Sequence, residues 1–281
     1  VEWLFRQCSW TRLPWFRTDF SGVPLFVDRL HRSSDVTVLH RMRNAGRRLG
    51  IDIARYPATW SGPQLVQLME AHRVDAVLDV GANSGEYGVM LRQSGYRGRI
   101  VSFEPLAGPA KVLRRRAKSD PRWIVLPYAL GDESGAATVN VAANAGASSS
   151  LLPMLDRHAD AAPHARYIGT ETVPLRRLDE LWFEITKPGE RVFLKLDVQG
   201  YEAHVLRGAG SYAKDCVGLQ VETSFVPLYE DGLLISEALT LGQQELGLTL
   251  MATIPGFTDP RSGQMLQCDL VLFRSEEMER S

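Results

Sequence analysis

The sequence predicts an α/β fold, a mostly parallel sheet with helices covering both faces. Three observations support it. Short apolar runs recur along the chain and alternate with stretches of helical period, the rhythm of βα units. The runs are apolar throughout rather than at every second residue, as strands buried on both faces require. The first run leads into "VLDVGANSGEYG" (77–88), where spaced glycines follow a carboxylate at a strand-to-helix turn. Open α/β sheets hold their ligands at such turns.

Bulk properties narrow the field. The 281 residues are 44% hydrophobic and 23% charged, enough for a sizeable core. A net charge of −1 gives no global attraction to nucleic acid or to an anionic membrane. The basic clusters at Arg41–Arg48 and Lys111–Lys118 read as solvated helix faces. Cys8, Cys216 and Cys268 are odd in number, far apart, and without CxxC or His/Cys ligand spacing. The expectation is a reduced, cytoplasmic protein without a structural zinc. No apolar run reaches the ~18 residues of a spanning helix. Residues 1–27 stand apart, with Trp3, Phe5, Trp10, Trp15, Phe16, Phe20 and Phe26 interleaved with arginines. They lack a signal-peptide pattern. They read as a tail packed on the body or as translated sequence ahead of the true start, with an interfacial anchor or docking arm as the alternative.

The elements follow in order. Residues 28–55 read as helical and basic, closed by Pro57. An amphipathic helix over 62–73 has Pro63 in its first turn and Leu65, Leu68, Met69 and His72 on one face. Together they make a helical N-terminal segment, 28–75. "AVLDV" (76–80) is a buried strand, and 85–94 is the helix after it. "RIVSFEP" (99–105) is the second strand, Lys111–Lys118 a helix, and "WIVLPYAL" (123–130) the third strand. "RVFLKLDV" (191–198) is the fourth, followed by a short helix from Glu202. "CVGLQVET" (216–223) is the fifth, and 233–247 is helical with Gly247 as its stop. "LTLMATI" (248–254) and "MLQCDLVLFR" (265–274) have only a turn-rich link between them, so they form an antiparallel hairpin. Residues 131–190 break the rhythm. Their small, alternating residues predict a short strand pair with a polar loop, an insertion suited to substrate contacts.

Chemistry gathers at the carboxyl ends of the strands. Asp79 closes the first strand, and Gly81 and Gly85 would let a ligand approach the backbone. Glu104 closes the second strand, placed to accept hydrogen bonds from a ribose diol. An adenosine-like ligand is thus indicated, carried by NAD, FAD or S-adenosylmethionine. Asp79 would repel a pyrophosphate and attract an ammonium or a sulfonium. Opposite unit charges ~4 Å apart interact by about 4 kcal/mol at an effective dielectric near 20, before desolvation. The sign favours the methyl donor, and the turn reads G-x-N-x-G rather than G-x-G-x-x-G. Farther along, "FLKLDVQGYEAHVLRGA" puts Lys195 and Asp197 at the end of the fourth strand, and "LQVETS" puts Glu222 at the end of the fifth.

These stretches resemble the FkbM-type methyltransferases of the class I S-adenosylmethionine-dependent superfamily. The matching segments are "GIDIARYP", "VLDVGANSGEYG", "SFEP", "YALGDESG", "ASSSL", "VPLRRLDEL", "FLKLDVQGYE" and "LQVE", spread over roughly residues 45–275. Gln199 departs from the glutamate these proteins often carry. The resemblance implies a Rossmann-like fold with a seven-stranded, mostly parallel sheet whose last strand is antiparallel, a methyltransferase domain at 76–275. It implies a donor contacted by Asp79, Gly81, Asn83, Gly85 and Glu104, with adenine near Phe103, Pro105, Ala129 and Leu130. It implies O-methylation of a hydroxyl on a secondary metabolite or glycan. On the acceptor side, Asp197, Glu222 and Lys195 are the candidates; the structural alternatives are pairing of Asp197 with Lys195 or capping of the following helix, and bonding of Glu222 to loop amides. His158, His164 and His204 are weaker candidate bases, and Asn144 with Ser148–Ser150 forms a polar loop that would touch donor or acceptor. A divalent ion at Asp197 and Glu222 is chemically admissible, but the spacing does not demand one. A non-catalytic nucleotide-binding scaffold and an NAD(P)-dependent oxidoreductase are the rival readings.

Overall fold

The computed structural model describes residues 62–275, all within one compact unit. The aromatic-rich stretch 1–27 and the basic helix expected over 28–55 lie outside them. The first helix, α1 (Gly62–Ala71), buries Leu65, Val66 and Met69. Then β1 (Ala76–Val80), α2 (Glu86–Gln93), β2 (Arg99–Phe103), α3 (Ala107–Ala117) and β3 (Trp123–Leu126) alternate as expected. After the insertion come β7 (Val192–Leu196), α6 (Glu202–Ala209), β8 (Gly218–Ser224), α7 (Ile235–Thr240), β9 (Thr249–Pro255) and β10 (Gln267–Phe273). The helix expected over 233–247 is shorter, because its second half winds into a π turn at Leu241–Glu245.

The main sheet has seven strands in the order β3-β2-β1-β7-β8-β10-β9. Neighbours from β3 to β8 are parallel, while β10 runs antiparallel to both β8 and β9. The last strand therefore slides between its two predecessors, and the hairpin expected for the last two strands is present. One apolar cluster, with Leu78, Phe103, Leu194 and Leu219, backs one face of the sheet, and a second, with Val77, Ile100, Phe193 and Phe273, backs the other. Strand order reverses between β1 and β7, so the chain splays there and opens a crevice beyond Val80 and Leu196.

The expectation of one strand over 123–130 needs correction. Pro127 has no N–H to donate, and the chain leaves the main sheet after Leu126. It re-pairs as β4 (Ala129–Leu130) in a second, three-stranded sheet of order β4-β6-β5, with β5 at Gly135–Ala142 and β6 at Tyr167–Arg176. This is the strand pair expected in the insertion, extended by one strand. Beyond the expected strand pair the insertion also holds two helices, α4 (Asp156–Ala161) and α5 (Leu178–Ile185). Helix α5 buries Leu178, Leu181, Trp182 and Ile185 against the main sheet. Among the described residues no helix is long and apolar enough to cross a membrane.

Candidate active site

A cavity of about 610 Å³ opens at the crevice, a size usual for a cofactor or small-molecule site. The end of β1 contributes Gly81, Asn83 and Ser84, and the end of β2 contributes Phe103, Glu104 and Pro105. Tyr128, Ala129 and Leu130 extend the apolar wall. Asp197 and Gln199 come from the end of β7, Glu222 from β8, and Gln267 from β10. The insertion closes the cavity with the loop Asn144–Leu151 and with His158 and His164. Of the expected donor contacts, Gly81, Asn83, Glu104, Pro105, Ala129 and Leu130 line the cavity.

Asp79, Gly85 and Lys195 do not, and each has a physical reason. Register places Ser102, Asp79, Lys195 and Gln220 side by side across β2, β1, β7 and β8. They form a polar row inside the sheet. The Ser102 hydroxyl donates to Asp79 Oδ2 at 2.9 Å and accepts from Trp123 Nε1 at 3.0 Å. Lys195 Nζ lies 3.3 Å from Asp79 Oδ1 and 3.3 Å from Asp197 Oδ2. Burial pulls the Lys195 ammonium down, but Asp197, Asp79 and Asp269 outweigh it and hold its pKa above the ordinary value. Asp79 and Lys195 are thus buried counter-ions of one another behind the cavity lining. Gly85 (φ +92°) faces the core, where a Cβ would sit 2.6 Å from Leu113. Gly81 (φ +77°) does line the cavity, but a Cβ there would meet the Asp197 carbonyl at 1.8 Å. Glycine at these positions serves the close packing of protein on protein.

The remaining carboxylates are held by backbone and amides. Glu104 accepts from the Asn83 and Leu106 amides, each at 2.8 Å. Burial nevertheless raises it to about 7, assisted by Asp79. Gln199 joins the acceptor candidates. Its Nε2 donates to Asp197 Oδ1 at 2.9 Å and to Glu222 Oε2 at 2.7 Å. Gln267 Nε2 donates to the same Glu222 oxygen at 2.9 Å. The Tyr229 hydroxyl donates to Gln199 Oε1 at 2.7 Å, so the amide's orientation is set at both ends. Burial pushes Glu222 well above the carboxylate range, with Asp197, Asp269 and Glu202 adding repulsion. Gln199 itself sits at φ +56°, a left-handed conformation costly for a non-glycine residue. The buried Glu202 carboxylate holds that turn by accepting from the Val198 and Gly200 amides.

The insertion's polar residues divide in use. Ser150 Oγ donates to the Gln199 carbonyl at 2.7 Å, and Asn144 and Ser148 bond to one another. Ser149 Oγ accepts from the Ala142 amide. His158 is 3% exposed, His164 is exposed at the rim, and both line the cavity. His204 does not; it stacks on Tyr201 with ring centroids 3.9 Å apart. Sequence reasoning missed Gln267 and Tyr229. Gln267 had one signal, a polar side chain at the start of the last apolar strand. Tyr229, within "VPLYEDG", had none.

The donor set tests the candidate ligands. Among the described residues Glu86, Glu104, Asp197 and Glu222 line the cavity, and no lysine or arginine does. A pyrophosphate would face carboxylates without a counter-charge, which disfavours NAD. A ligand bearing an ammonium and a sulfonium meets the right sign, an apolar wall suits its adenine, and Glu104 suits its ribose diol.

No curated protein sequence matches the chain. Among solved structures it is similar to a provisionally assigned O-methyltransferase from Klebsiella pneumoniae, at 14% identity, TM-score 0.44, covering 85% of this chain and 90% of that one. It is similar to cofactor-bound Rv0187 from MTB, at 16% identity and TM-score 0.42, covering 89% and 94%. It is also similar to a 1,6-didemethyltoxoflavin-N1-methyltransferase from Burkholderia thailandensis, at 11% identity and TM-score 0.39, covering 87% and 91%. The family profile described as the Methyltransferase FkbM domain matches residues 79–252, more than half of the chain, from the end of β1 into β9. The protein thus belongs to the FkbM methyltransferase family, enzymes whose methyl donor is S-adenosylmethionine.

Proposed function

We propose that the protein methylates a hydroxyl oxygen on a small-molecule or glycan acceptor, with Glu222 taking the hydroxyl proton. The observation that carries this reading is the Gln199 amide, which bridges Asp197 and Glu222 at the cavity floor. Gly81, Asn83, Phe103, Glu104, Pro105, Ala129 and Leu130 would hold S-adenosylmethionine, which supplies an electrophilic methyl on an excellent leaving group. What remains for the chain is to aim the acceptor oxygen, exclude water and remove a proton.

Glu222 suits the proton transfer. Both amides that reach it bond Oε2, and Oε1 has no hydrogen bond among the described residues. Burial and the neighbouring carboxylates Asp197, Asp269 and Glu202 raise its pKa, which makes the ionised carboxylate a stronger proton acceptor. Gln199 fixes the rotamers of both carboxylates. Asp197, half-buried and tethered to Lys195, is the group that orients the acceptor hydroxyl. The cytoplasm is the proposed compartment, consistent with the buried free thiols Cys216 and Cys268.

The test uses methyl-labelled S-adenosylmethionine with glycans and small metabolites from the cells that make the protein. Glu222→Gln is expected to slow transfer by about 10²–10⁴-fold, the usual range for a lost general base. S-adenosylhomocysteine affinity should stay as in the wild type. Unchanged transfer by this variant would remove Glu222 from the mechanism, and label on nitrogen alone would remove the hydroxyl acceptor.

A further inference from the structure

Gln199 is gripped from behind by side chains of two other segments. Its backbone is left-handed, at φ +56°, and its carbonyl accepts from Ser150 Oγ at 2.7 Å. Its side-chain oxygen accepts from the Tyr229 hydroxyl at 2.7 Å. Tyr229 is 2% exposed and stands behind the cavity lining. It packs on the turn after β7, where a Cβ at Gly200 would meet Tyr229 Cβ at 2.9 Å. Its other flank meets the His158 ring edge-on, centroids 5.1 Å apart. The phenol is thus fixed in place by packing, independently of the hydrogen bond it makes.

That hydrogen bond has a direction. The hydroxyl carries one proton. The Ser148 carbonyl lies at 3.4 Å, so the proton goes to the nearer Gln199 oxygen. Burial, with Glu222, Tyr167, Glu202 and Asp197, holds the phenol above its ordinary value, so it stays a donor at any working pH. With Oε1 taken, Nε2 faces the other way and spends both its protons, on Asp197 Oδ1 and Glu222 Oε2. A reversed amide would bring its oxygen against two carboxylates. A hydrogen bond to the ionised form lowers a carboxyl's pKa. Gln199 therefore opposes part of the rise that burial, Asp197 of β7, Asp269 of β10 and Glu202 of α6 impose on Glu222, and Lys195 of β7 acts in the same sense as Gln199.

We propose that Tyr229 is a positioning residue for methyl transfer: its hydroxyl, held behind the cavity, locks the Gln199 amide in the one orientation that ties Glu222 to Asp197. The inference rests on the reading of Glu222 as the group that takes the acceptor's proton. Tyr229 acts on that group only through Gln199.

Tyr229→Phe keeps the ring and removes only the hydroxyl. In the unliganded chain, the isotope-labelled carboxyl carbon of Glu222 can be followed by NMR against pH, its signal assigned by its loss in Glu222→Gln. In Tyr229→Phe its midpoint should lie at higher pH than in the wild type. Methyl transfer to the cell extract at about pH 7 should fall about tenfold. The acid limb of the pH–rate profile should move up with the midpoint, and S-adenosylhomocysteine affinity should stay. A hydroxyl that served folding alone would lower the urea midpoint and leave that limb where it was. The second variant is Gln199→Met. Replacing both partners of a buried hydrogen bond by apolar groups leaves nothing unsatisfied, so Tyr229→Phe with Gln199→Met should fold. It should match Gln199→Met alone in the Glu222 midpoint and in transfer, because coupled residues do not add. A wild-type midpoint and profile in Tyr229→Phe overturn the proposal. So does a full further loss of transfer when Tyr229→Phe is added to Gln199→Met, or a Tyr229→Phe chain that no longer binds S-adenosylhomocysteine. Unchanged transfer by Glu222→Gln, beside a raised midpoint in Tyr229→Phe, removes Glu222 as the base and leaves the coupling through Gln199 standing.

Discussion

At the scale of the residue, two side chains act differently from their sequence context. Asp79 closes "VLDV" like a ligand carboxylate, but cross-strand register gives it to Lys195. Both side chains are nearly solvent-free, at 0% and 6% exposure. Removing one partner of such a pair leaves an uncompensated buried charge, typically at a cost of about 3–5 kcal/mol. Lys195 keeps Asp197 at 3.3 Å, so Asp79→Asn should lower stability by less than that in urea unfolding, and Asp79→Asn with Lys195→Met should regain part of the loss. Refolded or stabilised Asp79→Asn should still bind S-adenosylhomocysteine. Binding lost in a fully folded variant would return Asp79 to the ligand. Gln199 is the converse case. It looked like a mere departure from the glutamate that such proteins often carry, and its amide bonds both carboxylates.

At the scale of the element, the two strand-to-turn junctions depend on each other. The end of β1 and the end of β7 are pressed together where Gly81 meets the Asp197 carbonyl. Gly81→Ala adds a methyl where no space exists and imposes a side chain at φ +77°. It is expected to cost more than about 1 kcal/mol and to misplace Asp197 and Gln199 together, weakening both S-adenosylhomocysteine binding and transfer. A variant with native urea midpoint and native transfer would show that the contact yields freely. Element types were legible where apolar runs were long. The boundary at Pro127 was not, because the run "WIVLPYAL" continues in hydrophobicity through the residue that breaks the ladder. Helix α5 is only eight residues long, too short for its period to stand out, although its buried positions 178, 181, 182 and 185 follow helical spacing.

At the scale of the whole molecule, the fold stores protons. Burial raises Glu104 and Glu202 from 4.5 to about 7 and Asp269 from 3.8 to about 6. A raised carboxyl contributes stability that is full below its unfolded value and lost as pH climbs through the folded one. His158, lowered from 6.5 to about 4 by burial, works in the opposite sense, its contribution present above 6.5 and lost as pH falls toward 4. With Glu222 raised as well and His204 lowered, the raised carboxyls still outnumber the lowered imidazoles and make the unliganded protein less stable at about pH 7.5 than at about pH 5, read as a lower urea midpoint. S-adenosylhomocysteine, which brings an ammonium among these carboxylates, should reduce that difference. A midpoint that rises over the interval would mean that these carboxyls ionise freely. The sequence by itself determined the alternation of strands and helices, the glycine turn, the carboxylates Glu104, Asp197 and Glu222 at the sheet's edge, and the family. These are properties of local order, and periodicity and spacing carry them. Only the tertiary structure decided which carboxylates line the cavity and which is paired inside the sheet, because that depends on register between strands more than a hundred residues apart, such as Asp79 with Lys195. It alone brought His158, from the insertion, against Tyr229, whose hydroxyl bonds Gln199, since long-range packing leaves no trace in the spacing of neighbours.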